Sequence, residues 1–230
     1  MLIINSLPSL IDEKLVKRAK ILGSAELCDG MTKLGIKSGG AMSRTMLPLN
    51  IDDICVGTAT TVETSEGNNF PIHVAVYQGM PGYVLVIDGK NYDNSGYIGD
   101  LIVGAADAIG YEGIVIDGCV RDRKGLLDIG LPVYSQGYMQ GTPPKVESGQ
   151  INTTIKCGGI EVAPGDLIVG DCDGITVIPK EHIEDVIIEA EKKQEYEHQR
   201  REIIKEYKEA FKKGGKLPEI MPEWVAEKLK

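Results

Sequence analysis

The chain has 230 residues, of which 42% are hydrophobic, enough to bury a core, and its length suits one domain with an appendage. Its 34 acidic and 25 basic side chains leave a net charge of −9, so no overall field holds a polyanion and direct nucleic-acid binding is not expected. No apolar run nears the roughly 18 residues of a membrane span, and the N-terminus lacks a basic flank followed by a long apolar stretch; five cysteines without a CxxC pair suit a reducing compartment. A cytoplasmic protein away from membranes is the expectation.

Twenty-eight glycines beside an aromatic share of 5% imply many tight turns and an aliphatic core. In chain order, the patterns predict a small helix around 11–19, a turn-rich stretch to Pro48 and a strand from Ile54 to Val62. A helical turn follows near Pro71–Tyr77, then a strand Tyr83–Asp88, a helix Asp100–Ile109 and a strand Gly113–Asp117. Further strands are expected at Leu131–Ser135, near Ile151–Ile155, at Asp166–Val169 and at Gly174–Ile178. Residues 83–117 form a βαβ unit whose strands VLVID and GIVID are unbroken apolar runs suited to burial on both faces. The later strands have hairpin-like spacing, so the sheet is expected to be mixed. The hexapeptide GDLIVG occurs twice. Its first copy, Gly99–Gly104, runs into AADAIG and reads as a helix start; the second, Gly165–Gly170, follows Pro164 and reads as a strand.

Composition changes at Pro179. Residues 1–179 carry net −8 and residues 180–230 net −1. The segment from Glu181 to Lys213 has neither Pro nor Gly, and its apolar residues recur at three- and four-residue spacing, so it reads as a long amphipathic helix. The expected organisation is an α/β body over 1–179 and a charged helix with a C-terminal tail over 180–230.

Chemistry is expected beyond the carboxyl ends of the two apolar strands, where Asp88, Asp117 and the loop GCVRDRKG share a rim. The helix opening at Gly99-Asp100 offers the amides of Leu101, Ile102 and Val103 as a seat for a carboxylate. Arg121 supplies a planar donor fork and Asp122 a hard oxygen ligand suited to Mg²⁺. Each feature also has a plainer reading: Asp100 as a helix cap, Asp-Gly as a turn, Arg121-Asp122 as a surface ion pair and His73 as a packing residue. Three histidines without ligand spacing leave any metal to oxygen donors. Neither GxGxxG nor GxxxxGK[ST] is present, which leaves nucleotide cradles unsupported.

With Gly99-Asp100, twenty residues, then Arg121-Asp122, set in GDLIVGAADAIGYEGIVIDGCVRD and followed by PGDLIVGDCDGITVIP, the sequence resembles the RraA-like family. That family includes divalent-metal-dependent 4-hydroxy-4-methyl-2-oxoglutarate aldolases with oxaloacetate decarboxylase activity, and RraA-type regulators of ribonuclease activity. The likeness covers about residues 20–205. It implies an α/β fold of the phosphohistidine-domain-like, swivelling β/β/α type, with a mixed central sheet and a long C-terminal helix, assembled as a homotrimer or homohexamer with its active site between subunits. It implies Mg²⁺ or Mn²⁺ on Asp122 and a substrate oxygen on Arg121. The pyruvyl carboxylate would lie at the amides after Gly99-Asp100, with an acid–base water oriented by Asp100. A glutamate from a neighbouring subunit would approach the metal's waters, with Glu195 and Glu197 the candidates. The function implied is cleavage of a small 2-oxo acid, a 4-hydroxy-2-oxo acid or oxaloacetate, to pyruvate. The alternative is a non-catalytic protein-binding regulator of ribonuclease activity.

Overall fold

The computed structural model describes residues 1–36 and 40–230. In chain order the elements are β1 (Leu2–Ile4), α1 (Glu13–Ile21), α2 (Ser24–Lys33), β2 (Leu47–Pro48), β3 (Cys55–Glu63), α3 (Phe70–Gln78), β4 (Tyr83–Gly96), α4 (Asp100–Ile109), β5 (Gly113–Val120) and α5 (Arg123–Ile129). They continue with β6 (Val133–Ser135), β7 (Gly137–Tyr138), β8 (Gly149–Ile151), β9 (Ile155–Cys157), β10 (Ile160–Val162), β11 (Leu167–Asp171), β12 (Gly174–Ile178), α6 (Ile183–Lys213) and α7 (Glu223–Lys228).

The chain falls into two compact units, Met1–Ala190 and Glu191–Lys230. In the first, among the described residues, ten strands join one sheet whose main path runs β1-β8-β3-β4-β5-β6-β2. The centre β3-β4-β5-β6 is parallel, while β8 and β11 join β3 antiparallel and β2 joins β6 antiparallel. The mixed sheet is as expected. Leu85, Ile87, Ile114 and Ile116 face a core shared with α3, α4 and α5, whereas Val84, Val86 and Val115 face Ile155, Ile168 and Ile175 on the other side. This alternation explains why VLVID and GIVID are apolar without a break: both faces are covered. A third cluster sets α1, α2 and the first two turns of α6 on β11 and β12, with Ile183, Val186, Ile187 and Ala190 buried. The second unit holds the rest of α6, the Gly214-Gly215 stop and α7; there the Arg200 guanidinium donates to the carbonyl of Ile220.

The two copies of GDLIVG diverge as expected, one opening α4 and the other forming β11. Elsewhere the structure departs from the sequence reading. The stretch that reads as turns contains α2, in which Ala25, Glu26, Leu27, Met31 and Lys33 favour a helix and packing outweighs Gly30 and its polar neighbours: Leu27 and Met31 are buried, and a side chain on Gly30 would sit 2.8 Å from the Val186 carbonyl. The strand expected near Ile151–Ile155 is two strands, β8 and β9. Asn152 breaks it with φ +56°, a conformation asparagine tolerates, and its Oδ1 accepts from the Thr60 hydroxyl and the Thr61 amide. Helix α5 was not foreseen. The segment 37–39, part of the stretch read as turns, lies outside the described residues.

At the end of β5, Asp117 is buried among backbone donors. Its Oδ1 accepts the Gly89 amide at 2.6 Å and its Oδ2 the Gly158 amide at 3.1 Å, so one carboxylate joins β4, β5 and the β9–β10 turn. Burial pushes its carboxyl up to about 6, against the pull of these two amides. The folded chain thus holds a proton that the unfolded chain has released, so this group's contribution to stability is complete at low pH and is lost as pH rises from about 4 to about 6. Urea denaturation across that range is expected to show the stability margin of wild type over Asp117→Asn shrinking by up to about 3 kcal/mol; parallel curves would contradict it. Ile87→Ala, emptying a fully buried site on β4, is expected to lower the unfolding free energy by about 2–5 kcal/mol in the same measurement.

Candidate functional site

The βαβ unit determines the site. β4 ends at Gly96, and Tyr97 continues alongside β5 by donating its amide to the Cys119 carbonyl. The chain then turns at Gly99, the N-cap of α4, in an extended conformation. β5 runs out at Val120, and the Arg121 amide donates to the Ile98 carbonyl, which pins the next loop against the turn. Asp122 follows with φ +60° and ψ +39°, a left-handed conformation uncommon outside glycine, and opens α5 without capping it. Its carboxylate is therefore directed by the backbone rather than consumed by helix capping.

Three glycines permit this approach. A side chain at Gly99 would place its first carbon 2.1 Å from Asp122 Oδ2, one at Gly96 would meet the Met139 carbonyl at 2.4 Å and Arg121 Cβ at 2.8 Å, and one at Gly125 would meet Asp100 Cβ at 2.8 Å. Arg121 Nε lies 3.4 Å from Asp122 Oδ2, with both side chains more than a third exposed, so the pair faces solvent and is available to a ligand.

Gly99, Asp100, Leu101, Ile102, Arg121 and Asp122 all line one cleft of about 160 Å³, room for about five waters or one small acid. Asp100 is the first residue of α4 rather than its cap. Of the three amides expected at the rim, those of Ile102 and Val103 are engaged, each donating to the Gly99 carbonyl at 3.1 Å. The helix start instead presents the amides of Asp100 and Leu101, which have no intrahelical acceptor. The Leu101 side chain projects outward, 86% exposed.

Sequence reasoning missed the rest of the lining. Asn69, His73, Thr142, Pro143 and Lys145 complete the cleft, although they lie far from the Arg-Asp motif in sequence. His73, read as a packing residue, faces this space; burial lowers its pKa and the charge of Lys145 lowers it further. The signal available in the sequence was Asn68-Asn69-Phe70-Pro71, two asparagines before a helix-opening proline.

The rim was expected to gather Asp88 and Asp117 as well. They line a separate cavity of about 500 Å³ together with Lys90, Asn91, Lys156 and Gly158. Asp88 pairs with Lys90 Nζ at 2.6 Å, and Lys90 also reaches Glu63. The physical reason lies in β4, where Lys90 and Asn91 both take positive φ and the register with β5 shifts between Ile87 and Gly96. The extra residues carry the strand past Asp88 before the chain reaches Gly99.

For metal binding, Asp122 and Asp100 are carboxylates in the cleft, hard donors of the kind that hold Mg²⁺ or Mn²⁺ with waters and substrate filling the remaining positions. Among the described residues, a three-member ligand group is formed by Asp171, Cys172 and Asp173, with potential donors within 4.8 Å of one another. This group could take an ion, but Asp171 already accepts from the amide and hydroxyl of Ser24 and from the Asp173 amide. Glu195 and Glu197 lie in the second unit on α6, accepting from Gln199 and Arg201 respectively.

Among the described residues, no helix is long and apolar enough to cross a membrane. The family model for RraA-like proteins, Aldolase/RraA, matches residues 24–177. A protein of Halalkalibacterium halodurans, named as a candidate 4-hydroxy-4-methyl-2-oxoglutarate aldolase, is 38% identical over 180 residues, spanning 78% of this chain and 82% of the relative. Streptomyces coelicolor RraAS2, described as an unusual member of the RNase ES inhibitor RraA family, superposes with a TM-score of 0.74 at 26% identity, covering 83% of this chain and 98% of that one. The RNA-processing inhibitor RraA from Thermus thermophilis shares the fold with a TM-score of 0.58 at 22% identity, over 65% of this chain and 92% of its own. With a mixed sheet flanked by helices, a long C-terminal helix and a family match across most of the body, the chain belongs to the RraA-like family and has its phosphohistidine-domain-like, swivelling β/β/α fold.

Proposed function

We propose that the cleft cleaves a carbon–carbon bond of a small 2-oxo acid, either a 4-hydroxy-2-oxo acid or oxaloacetate, to release pyruvate. The observation that carries this reading is the approach of Gly99 to Asp122, which sets a helix N-terminus, a guanidinium and a carboxylate around one small space. The amides of Asp100 and Leu101, at the positive end of α4, receive the substrate carboxylate. Arg121 stabilises negative charge as it develops on the keto oxygen, where a preoriented donor acts more strongly than water. Asp100, held against Gly125, orients a water for the proton transfer. Asp122 would hold Mg²⁺ or Mn²⁺, with Glu195 or Glu197 of a neighbouring copy in a trimer or hexamer completing the shell through water. That cation would supply Lewis acidity at the keto group. Both reactions place electrons on the same three-carbon unit, so one site serves both.

A second reading is a protein-binding regulator of ribonuclease activity. The names of the Streptomyces and Thermus relatives favour it, whereas the halodurans relative's name and the cleft's donor set favour the lyase. Pyruvate release from oxaloacetate and from 4-hydroxy-4-methyl-2-oxoglutarate, coupled to lactate dehydrogenase, separates the two. The expected outcome is activity with Mg²⁺ or Mn²⁺ that EDTA abolishes and that Arg121→Ala or Asp122→Ala lowers at least about a hundredfold. Absence of pyruvate from both substrates in metal-replete buffer would rule out the lyase. Ribonuclease inhibition surviving Asp122→Ala and EDTA would establish the second reading. Gly99→Ala, which pushes a methyl into the Asp122 carboxylate, is expected to reduce kcat about as much as Asp122→Ala while circular dichroism remains native.

A further inference from the structure

Residues 139–148, between β7 and β8, form neither helix nor strand, yet Thr142, Pro143 and Lys145 among them line the cleft. A segment without a ladder keeps its place through separate tethers. At its start the Met139 amide donates to the Val120 carbonyl, and the Gly141 carbonyl accepts the Gly96 amide. Around Lys145 the tethers come from the turn after β3. The Pro144 carbonyl accepts the Asn69 amide at 3.2 Å, and Val146 is held at both its backbone groups by one side chain. Its amide donates to Asn68 Oδ1 at 2.8 Å, and its carbonyl accepts from Asn68 Nδ2 at 3.0 Å. The same Nδ2 donates to the Ser148 carbonyl at 3.2 Å, and Oδ1 also accepts the Phe70 amide at 3.2 Å.

A carboxamide has two N–H groups and two lone pairs, and Asn68 uses all of them. It pairs with Val146 as a neighbouring strand residue would. The Asn68 backbone is itself fixed, for its amide donates to the Ser65 carbonyl and its carbonyl accepts the Thr64 hydroxyl at 2.7 Å, and the residue is 1% exposed. Lys145 stands between the two tethered residues, Pro144 and Val146. Its charge is felt at His73 in the cleft, whose pKa is lowered first by burial and then by Lys145. We propose that Asn68, which lies outside the cleft lining, is a positioning residue that sets the Lys145 ammonium in the cleft, through the Val146 backbone, as a counter-charge for an anionic ligand. Three of the four bonds of its carboxamide end on a loop whose Val146 is 53% exposed. Water meets those backbone groups when the tether is cut, so the fold is expected to outlast it while the loop loses its place.

The test reads whether Lys145 and His73 still feel each other. In the whole chain, metal-free and with labelled histidine, NMR gives the His73 titration midpoint, assigned against His73→Gln. Lys145→Gln is expected to raise that midpoint when Asn68 is present and to leave it nearly unmoved in Asn68→Ala, where the ammonium has already left. Asp100, Arg121 and Asp122 also line the cleft, but their charges, like any change in burial, are common to both members of each comparison and cancel. Val146→Pro removes the tethered amide from its exposed side; it is expected to abolish the coupling in the same way, and it replaces Asn68→Ala if that variant does not fold. A rise of equal size with and without the tether, or no rise in either, would overturn the role of Asn68. What the positioned charge does for turnover rests on the lyase reading. With Mg²⁺ present, kcat/KM for oxaloacetate is expected to fall about tenfold in Asn68→Ala and in Lys145→Gln, and no further in the double variant. Losses that multiply in the double variant would also overturn the role of Asn68. No pyruvate from either oxaloacetate or 4-hydroxy-4-methyl-2-oxoglutarate would overturn the lyase reading alone, with the titration still deciding the tether.

Discussion

At the start of α4 the backbone at Gly99 passes so close to Asp122 that one added carbon would lie 2.1 Å from the carboxylate. Two segments separated by a whole helix and strand are thereby held in contact, and the cleft exists because of it. The contact depends on the parallel pairing of β4 with β5, which delivers both segments to the same end of the sheet. It depends also on the left-handed backbone of Asp122, which turns the carboxylate toward Gly99 instead of into the helix it precedes. Gly96 and Gly125 repeat the same device on either side. The richness in glycine noted from composition is thus concentrated, at this site, where backbone must approach side chain.

The same sheet end carries a second set of charged residues with a different role. Asp117 is saturated by two backbone amides, and Asp88 is neutralised by Lys90. Their donors are internal, so they stitch strands together. Asn69 presents a different case: its Nδ2 donates to the Tyr97 carbonyl while its Oδ1 is buried without a partner.

Much of the central machinery was legible from residues alone. Helix α4 begins at Asp100 and ends at Ile109 as the pattern indicated, because Gly110 takes the left-handed conformation that terminates it. The apolar runs of β4 and β5 announced burial on both faces, and the Arg-Asp pair after β5 announced a polar rim. The rest of the cleft lining was illegible because Asn69, His73 and Lys145 have no spacing in common; they meet only through the fold. Which amides of α4 remain open also escaped the pattern, since the Gly99 carbonyl draws in both Ile102 and Val103.

By itself the sequence determined the order of the βαβ unit and the change of character after Pro179, because these follow from local periodicity and short-range sterics, and its Gly-Asp and Arg-Asp spacing carried the resemblance to the family. Tertiary structure alone decided that Ser24–Lys33 would form α2 with Gly30 close against Val186, that the irregular stretch of β4 would carry Asp88 away from the cleft, and that the Asn69 carboxamide would bond the Tyr97 carbonyl rather than cap α3. Each of these outcomes depends on contacts between residues remote in the chain, and no local pattern encodes the free energy of a contact whose partner lies dozens of residues away.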